Sequence, residues 1–565
     1  MGAVNPVAGE SKDQRRPVDR RVPAQRDYGP WRAASLVAVY VLIAAHILHW
    51  TLAGRTLAPL ELNEVLHTLE LGIVTAGFLF MSAAVLATAV FGRFFCSWGC
   101  HLLALQDAAA WILGRVGIKP KPARSRVLLL VPVGAMVYMF LWPHIVGFFA
   151  PRPLDSPGLH TRTDAEGWGS FVTTNFWRNL PGPWITALTF AVCGFAIVYV
   201  LGSRAFCTYA CPYGVIFGLA DRMAPGKIRL RAGASCADCG LCTAACSSHI
   251  RVHQELTVFG KVVSPACLKD LDCVAACPSG NVVFGWSRPA GFLSWRKFGR
   301  FGVPYDFALA EDIVMAVVFL GTLAAFRGLY DAVPFLLSLA IGAIMAYVVI
   351  VLCRLVSRSA LRLGPVQLKL KGRWTAGGAA FATLGVGLVA VTVHSGFIRW
   401  HEALGKRAYA ELSREVAAGG QPAGTAALLD AIRHLEVCRR FGCVEPEELS
   451  LRLASLHLWN EDPLHAEPHV RRWIALRPDA SQWRVTLAAI LHSRGAVGEA
   501  IAELERAAAE SEMARDLRIA AIAHAMLGDV AWAMGDAAKA RTEYEASLDL
   551  VPDASEVKAK LGAVR

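Results

Sequence analysis

The chain carries seven apolar runs, each close to the ~20 residues that a membrane-spanning helix needs. They cover residues 33–53, 69–92, 127–150, 184–203, 309–326, 333–353 and 375–395. The fifth run is the shortest, because Glu311 and Asp312 open it and Arg327 closes it. The pattern predicts a mostly α-helical, polytopic membrane bundle of about seven spans. An apolar content of 55% over 565 residues agrees with this class.

Basic residues in the loops predict the orientation of these spans, because lysine and arginine concentrate in cytoplasmic loops. Basic clusters precede the first span, separate the second from the third, and separate the sixth from the seventh, whereas the opposite loops hold few basic residues. The N-terminus and the segment between spans four and five are therefore predicted to be cytoplasmic, with a periplasmic C-terminal domain and the spans in the inner membrane. Since these blocks account for the net charge of +12, no nucleic-acid partner is expected.

Composition divides the chain into five predicted segments. They are a basic cytoplasmic tail (1–32), a four-span membrane region (33–203), a cytoplasmic cysteine-rich module of α+β type (204–305), a three-span membrane region (306–395) and a soluble α-helical domain (396–565). In the last segment Leu453-Ala454 returns 34 residues later as Leu487-Ala488. This period resembles tetratricopeptide repeats, whose stacked helix pairs form an α-solenoid that binds partner proteins. A plain helical bundle is the alternative.

Seven cysteines between spans four and five have the spacing of iron–sulfur ligands. The first run follows C-x2-C-x2-C-x3-C, the spacing of bacterial ferredoxins. The second run repeats it and ends in Pro278, except that Asp270 stands where the second cysteine is expected. The seven cysteines are Cys236, Cys239, Cys242, Cys246, Cys267, Cys273 and Cys277.

In such runs three thiolates bind one cluster and the fourth binds the neighbouring cluster. This crossing rule defines a cluster-one set, formed by Cys236, Cys239, Cys242 and Cys277. It defines a cluster-two set, formed by Cys246, Cys267 and Cys273 with Asp270 or a solvent oxygen. A carboxylate binds iron less firmly than a thiolate does, so cluster two is expected to lose one iron and become 3Fe-4S. A structural zinc site is the alternative, although zinc usually takes two separated C-x2-C pairs.

A second cysteine pattern is duplicated at the ends of spans two and four. The motif Arg-x-Phe-Cys-x3-Cys begins at Arg93 and again at Arg204. Each C-x3-C places two sulfurs on one helical face, and we expect the arginines to lower the pKa values of the thiols. The pairs are predicted to form one redox-active site that holds a metal or a further cluster, or that acts as dithiols, with helix packing as the alternative. We call these residues the cysteine quartet: Cys96, Cys100, Cys207 and Cys211.

The two C-x3-C motifs, the ferredoxin run and the polytopic frame together resemble the NosR/NapH-type membrane polyferredoxins over about residues 33–300. That family includes quinol-oxidising partners of periplasmic reductases and accessory proteins for copper-enzyme assembly. The resemblance implies two 4Fe-4S clusters on the ferredoxin cysteines and a cluster or metal role for the quartet. His101 in place of proline, Asp270, and the added repeat domain depart from the family pattern.

The predicted function is electron transfer between a quinone pool or a cytoplasmic donor and a partner redox enzyme docked on the repeat domain. A quinol dehydrogenase-type subunit is one form of this function. The alternatives are an accessory or assembly factor and a redox-sensing regulator of a metalloenzyme. The sequence carries no apparent nucleotide, flavin or hydrolase motif, so substrate chemistry is expected to belong to the partner.

Residues near the predicted outer face give two further expectations. Histidines at this level are expected to make interfacial hydrogen bonds, with haem binding or proton uptake from a quinol as the alternative. Cys438 and Cys443 are predicted to form a disulfide, because they lie in the compartment that favours one. The histidines are His46, His49, His67, His144 and His394.

Overall fold

The computed structural model describes residues 27–118, 120, 122–149, 158–166, 169–177, 182–291, 305–478, 480–513 and 516–564. The described chain is mainly helical and separates into two compact units. Unit 1 comprises Met1–Leu323 and Pro334–Ala390, and unit 2 comprises Ala324–Val333 and Val391–Arg565. Most of the predicted basic tail (1–26) and part of the predicted cysteine-rich module (292–304) lie outside the described residues.

The helices of the membrane and cysteine-rich regions alternate long apolar segments with short ones. They are α1 Gly29–Ala53, α2 Val65–Leu71, α3 Ala76–Phe91, α4 Phe94–Trp98, α5 His101–Arg115, α6 Arg126–Met136, α7 Trp142–Phe149, α8 Pro183–Thr189, α9 Ile197–Leu201, α10 Ala205–Tyr209, α11 Tyr213–Met223, α12 Leu241–Ala244, α13 Val252–Phe259, α14 Asp272–Ala275, α15 Leu309–Phe326, α16 Phe335–Ser357 and α17 Ala376–Ala417. The π-helical turns Val137–Leu141 and Phe190–Ala196 join α6 to α7 and α8 to α9.

Six helices among the described residues are long and apolar enough to cross a membrane. They coincide with six of the predicted spans: Gly29–Ala53, Arg126–Val146, Pro183–Leu201, Leu309–Phe326, Phe335–Ser357 and the apolar part of Ala376–Ala417. The predicted span 69–92 is instead broken, because Gly72 ends α2 with φ 74° and the chain restarts as α3. The 16 residues of α3 extend only about 24 Å. The count of seven spans therefore stays a prediction.

Three small antiparallel sheets complete unit 1. Strands β1 Thr56–Leu57 and β2 Val172–Thr173 pair, as do β3 Gly226–Leu230 and β4 Val282–Trp286, while β5 Leu361–Leu363, β6 Val366–Leu370 and β7 Arg373–Trp374 form the third sheet. In the second sheet Leu230 pairs with Val282. Both ferredoxin cysteine runs lie between these two residues in the chain, so this strand pair closes the cysteine-rich module.

The duplicated sequence motif is also a duplicated backbone. In each copy a long helix ends at a glycine, a five-residue helix carries the first cysteine, and a further helix follows the second cysteine. Gly92 has φ 87° and ψ −176°, and Gly202 has φ 102° and ψ 170°. Only glycine adopts this region readily, so both copies require it at the sharp exit from the helix.

Unit 2 is a series of helices that pack consecutively. They are α18 Ala426–Phe441, α19 Glu447–Trp459, α20 Pro463–Leu476, α21 Ser481–Ser493, α22 Val497–Met513, α23 Leu517–Ala533, α24 Ala537–Leu550 and α25 Ser555–Ala563. Ala454, Ala488 and Ala500, small residues at the repeated positions, are buried in one core. A Cβ atom on Gly528 would lie 2.5 Å from the Tyr544 ring, so the helices approach closely there. The assignment to tetratricopeptide repeats stays a prediction.

The predicted disulfide between Cys438 and Cys443 is wrong in this structure, where both cysteines are free. Cys438 is buried on α18, and its Sγ lies 3.7 Å from the carbonyl oxygen of Ile398. Cys443 follows the end of that helix and is exposed. The two side chains therefore occupy different environments, although only four residues separate them.

Candidate functional site

The cysteine quartet comes together in unit 1, although its two halves are more than 100 residues apart in the chain. Burial raises the pKa of Cys211, and repulsion from Cys207, Cys100 and Cys96 raises it further. Burial and the neighbouring Cys207 raise the pKa of Cys100 to about 12. Cys96 and Cys211 also pack against one buried cluster, so the two C-x3-C pairs face one common site.

Gln106 on α5 links the two halves of the quartet. Its side chain is 1% exposed, donates from Nε2 to the Cys207 sulfur at 3.5 Å, and accepts from the Phe206 backbone N–H at 3.2 Å. No sequence motif predicted a role for this residue. The available signal was a polar residue on the apolar helix that follows Cys100.

The arginines of the duplicated motif lower the pKa of Cys207 as expected, but burial has the larger effect. Arg93 donates to the Cys96 sulfur at 3.8 Å. However, burial raises the pKa of Cys207 and outweighs the lowering effect of Arg204 and Arg93. The Arg204 guanidinium also pairs with Asp107 at 2.7 Å. The expectation of a net fall in thiol pKa is therefore wrong for Cys207.

The structure also brings the cluster-one set together. Burial raises the pKa of Cys242 to about 11, with further contributions from Cys236, Cys239 and Cys277. The same four cysteines line one pocket beside Asn281. The crossing rule predicts this grouping, and the ligation of a cluster by these residues stays a prediction.

The cluster-two set is grouped in the same way, with Asp270 at its fourth corner. Burial raises the pKa of Cys273, and Cys267, Asp270 and Cys246 raise it further. Burial, followed by Asp270 and Cys267, raises the pKa of Cys246 to about 12. Asp270 is itself 5% exposed. A carboxylate therefore lies among the three thiols, as the sequence register predicted.

The two ferredoxin loops share a strained backbone at an offset of 31 residues. Asp238 and Lys269 have φ 52° and 58°, and the next pair, Gly240 and Leu271, have φ 72° and 66°. Residues other than glycine rarely adopt positive φ, and each such residue costs of the order of 1 kcal/mol. The second loop thus keeps the conformation of a cysteine loop, and Asp270 takes the backbone position that Cys239 has in the first.

Asp270 is held by two residues that the sequence analysis did not connect with it. Ser247 donates a hydrogen bond to Asp270 Oδ2 and accepts one from Arg204 Nε at 3.2 Å. The Arg204 guanidinium also lies 4.0 Å from Asp270. Ser247 stands where a proline is usual after the fourth cysteine. The two departures from the ferredoxin pattern therefore contact each other.

Residues of the first C-x3-C motif form hydrogen bonds with the segment that contains Cys267. Arg93 Nη1 donates to the carbonyl of Pro265 at 2.7 Å, Ser97 Oγ to that of Leu268 at 2.6 Å, and Trp98 Nε1 to that of Lys269 at 3.1 Å. Arg93 and Ser97 are buried. The quartet and the cluster-two set are consequently joined by three short hydrogen bonds, of which the one from Ser97 to Leu268 is buried.

A buried charge cluster reinforces this junction. Lys227 and Lys269 donate to opposite oxygens of Asp221 at 2.9 Å and 2.8 Å, and all three side chains are at most 1% exposed. Burial opposes ionisation of Asp221, but the two ammonium groups together hold the pKa of its carboxyl below the ordinary value. A Cβ atom on Gly92 would lie 2.7 Å from both Asp221 and Lys269, so the duplicated glycine also permits this close packing.

The donor atoms fit iron–sulfur clusters. Thiolates are soft ligands that suit these clusters and zinc. Burial and mutual repulsion oppose the ionisation of Cys211, Cys246 and Cys273, so several thiolates at these sites need a cationic centre among them. The residues that would hold the clusters are the two ferredoxin sets and the quartet.

Three of the predicted outer-face histidines make ordinary hydrogen bonds. His46 Nε2 lies 2.9 Å from the carbonyl of Leu57, and His49 Nδ1 lies 2.9 Å from Thr56 Oγ1. His394 Nε2 lies 3.0 Å from the Phe441 carbonyl. These contacts favour the interfacial hydrogen-bonding interpretation. Binding of haem or quinone stays a prediction.

Comparison with known proteins shows that the quartet region is similar to an iron–sulfur domain. A sequence model described as a 4Fe-4S binding domain matches residues 73–119 and 184–231. These two segments contain the two C-x3-C motifs and end before Cys236. The long apolar helices, the cysteine sets and this match support a membrane protein of ferredoxin type with iron–sulfur clusters.

Curated relatives extend the match beyond these segments. The chain is 27% identical to the protein YccM of Escherichia coli, whose name describes electron transport, over 38% of this chain and 57% of that protein. It is 23% identical to the methylamine utilization ferredoxin-type protein MauN of Methylobacillus flagellatus, over 41% of this chain and 79% of the relative. It is also 23% identical to the ferredoxin-type protein NapH of Haemophilus influenzae, over 44% and 85%. The predicted resemblance to NapH-type membrane polyferredoxins is confirmed.

Proposed function

We propose that this protein is a membrane-bound iron–sulfur electron carrier that connects a quinone pool or a cytoplasmic donor with a partner redox enzyme. The observation that carries the proposal is that the three ligand sets are joined by hydrogen bonds and by a shared core. The quartet reaches the cluster-two set through Arg93, Ser97 and Trp98, and the two ferredoxin sets share one module. A chain of one-electron carriers needs its cofactor sites close together.

The residues have distinct roles in this proposal. The cysteines of the two ferredoxin sets and the quartet hold the clusters, which supply one-electron carriers when bound. Gln106 fixes the two halves of the quartet against each other, and Ser247 fixes Asp270. Trp98 and Lys269 keep the membrane motif in contact with the ferredoxin loop. The protein thereby contributes spacing, burial and positioning.

Orientation and docking complete the proposal. The basic loops support an inner-membrane protein with a cytoplasmic N-terminus, a cytoplasmic ferredoxin module and a periplasmic unit 2. The consecutive helices of unit 2 and their small buried contact residues support a tetratricopeptide-like solenoid that docks the partner enzyme. The same arrangement fits electron flow in either direction between the quinone pool or cytoplasmic donor and the partner enzyme.

Reduction of the clusters in membrane vesicles tests the proposed function. Vesicles that contain the protein are treated anaerobically with a reduced quinone, then with dithionite, and cluster absorbance and EPR are recorded. We expect quinol to reduce a substantial fraction of the dithionite-reducible clusters. The carrier function would be contradicted if dithionite reduces the clusters but neither a quinol nor a cytoplasmic ferredoxin-type donor does. That result would favour a redox sensor or an assembly factor.

Asp270 gives a separate prediction about cluster two. A carboxylate holds iron less firmly than a thiolate, so mild oxidation of the wild type is expected to yield the EPR signal of a 3Fe-4S cluster. Asp270→Cys is expected to suppress that signal, because the loop already has the conformation of a cysteine loop. The matched control is Asp238→Cys, one residue from Cys239 in the first loop, which should leave the signal in place. Two oxidation-resistant 4Fe-4S clusters in the wild type would rule the idea out.

A further inference from the structure

Unit 2 contains a cluster of ligating side chains that electron transfer does not use. Glu436 on α18, His457 on α19 and His469 on α20 each contribute one ligand atom, and these atoms all lie within 4.8 Å of one another. Three consecutive helices therefore present two imidazoles and a carboxylate to one point.

The histidines are buried without full hydrogen bonding. His457 and His469 are each 8% exposed. Nδ1 of His457 is buried and has no hydrogen-bond partner among the described residues, although Asp462 Oδ2 lies 3.8 Å from it. His469 Nε2 lies 3.4 Å from Glu436 Oε1. A buried nitrogen lone pair or N–H without a partner is unfavourable, and a bound cation would remove that cost at a lone pair.

Surrounding residues fix the orientation of these groups. Arg439 Nε donates to the second Glu436 oxygen at 2.7 Å, which leaves Oε1 directed towards His469. The His457 ring stacks on His469 at a centroid distance of 5.8 Å with 7° between the planes, and on His465 at 5.6 Å. His465 Nδ1 is 2.7 Å from Asp462 Oδ2. Outer contacts of this kind orient the ligands of protein metal sites.

We propose that unit 2 binds one divalent transition-metal ion through His457, His469 and Glu436, with Asp462 as a neighbouring carboxylate. Imidazole together with carboxylate suits borderline ions such as zinc, whereas calcium and magnesium prefer oxygen ligands alone. The ion would cross-link α18, α19 and α20. The proposal rests on these residues alone and is independent of the iron–sulfur function.

Zinc binding to the full-length protein tests this site. The cluster-loaded protein in detergent is dialysed anaerobically against micromolar Zn²⁺ with millimolar Mg²⁺ present, and bound zinc is counted by mass spectrometry. We expect the wild type to bind one zinc more than His469→Gln does. The zinc affinity of the His469→Gln variant should be lower than that of the wild type. The loss should exceed the roughly 10–100-fold that removal of an outer-shell partner costs.

Two further variants make the outcome decisive. Glu436→Gln keeps the side-chain shape, so it reports on the site even if His469→Gln fails to fold, and it should also lose the additional zinc. His492→Gln, at an exposed histidine of the same unit, should keep it. Zinc should raise the unfolding temperature of the wild type and of the His492→Gln variant, and should leave that of the two site variants unchanged. Equal zinc content in the wild type and both site variants, an equal loss in the His492 variant, or displacement by Mg²⁺ would overturn the proposal.

Discussion

Replacing Cys207 with serine is expected to remove up to four iron atoms per chain and to abolish quinol-linked reduction of the ferredoxin clusters. Cys207 belongs to the quartet and receives the Gln106 hydrogen bond, so its loss affects both halves of the site. The seven ferredoxin cysteines remain intact in this variant, so dithionite should still reduce their clusters. Iron and sulfide analysis, with reduction rates in vesicles, measures both effects.

Cys193→Ser is the matched control for this experiment. Cys193 is a fully buried cysteine in the π-helical turn Phe190–Ala196 of the same unit, and it does not belong to the quartet. The control should retain wild-type iron and wild-type rates. Cys96→Ser should reproduce the Cys207 result, because the other half of the quartet is lost. If both quartet variants keep the wild-type iron content and the wild-type reduction rates, these cysteines only pack the helices together.

Asp221→Asn is expected to destabilise unit 1 by about 3–5 kcal/mol, the usual cost of leaving a buried charge without its partner. The change leaves Lys227 and Lys269 beside each other with no buried anion between them. Because Lys269 belongs to the second ferredoxin loop, that loop should separate from the C-x3-C motif and cluster two should be lost first. Thermal unfolding in detergent, followed by cluster absorbance and by circular dichroism, measures the effect.

Glu70→Gln provides the comparison, because it removes an exposed carboxylate from the same unit. A surface substitution of this kind usually changes stability by less than about 0.5 kcal/mol. If Asp221→Asn unfolds at the same temperature as Glu70→Gln, the buried charge cluster does not hold the junction. If Asp221→Asn unfolds at a lower temperature but keeps cluster two until the protein unfolds, then Asp221 stabilises a part of unit 1 other than this junction.

The sequence predicted the features that depend on local periodicity or on ligand spacing. Apolar runs located six of the long helices, and the crossing rule grouped the ferredoxin cysteines as the structure does. The break at Gly72 was missed, because one glycine scarcely alters the hydropathy of a 24-residue run. Residues that act across long separations were also missed: Gln106 reaches Cys207, and Ser247 reaches Asp270. No spacing rule encodes such contacts.

The error at Cys438 and Cys443 has a different physical origin. The predicted periplasmic location and the short separation in sequence favoured a disulfide between these two cysteines. The helix, however, determines the direction of each side chain. Cys438 faces the core of unit 2 beside Leu435, and Cys443 lies beyond the helix end, where its backbone N–H donates to the Tyr330 hydroxyl at 2.9 Å. The sulfur of a buried helical cysteine is not available to a neighbour in the following turn.

The duplicated helix–glycine–cysteine unit has a consequence for how the protein matures in the cell. Each copy supplies only two sulfurs, and the copies that end at Cys100 and Cys211 are synthesised far apart in time on the ribosome. Neither half can retain a four-thiolate cofactor before the other has been inserted into the bilayer. If the quartet holds the cofactor proposed above, its loading reports that both halves are in place, and cofactor delivery then follows membrane insertion.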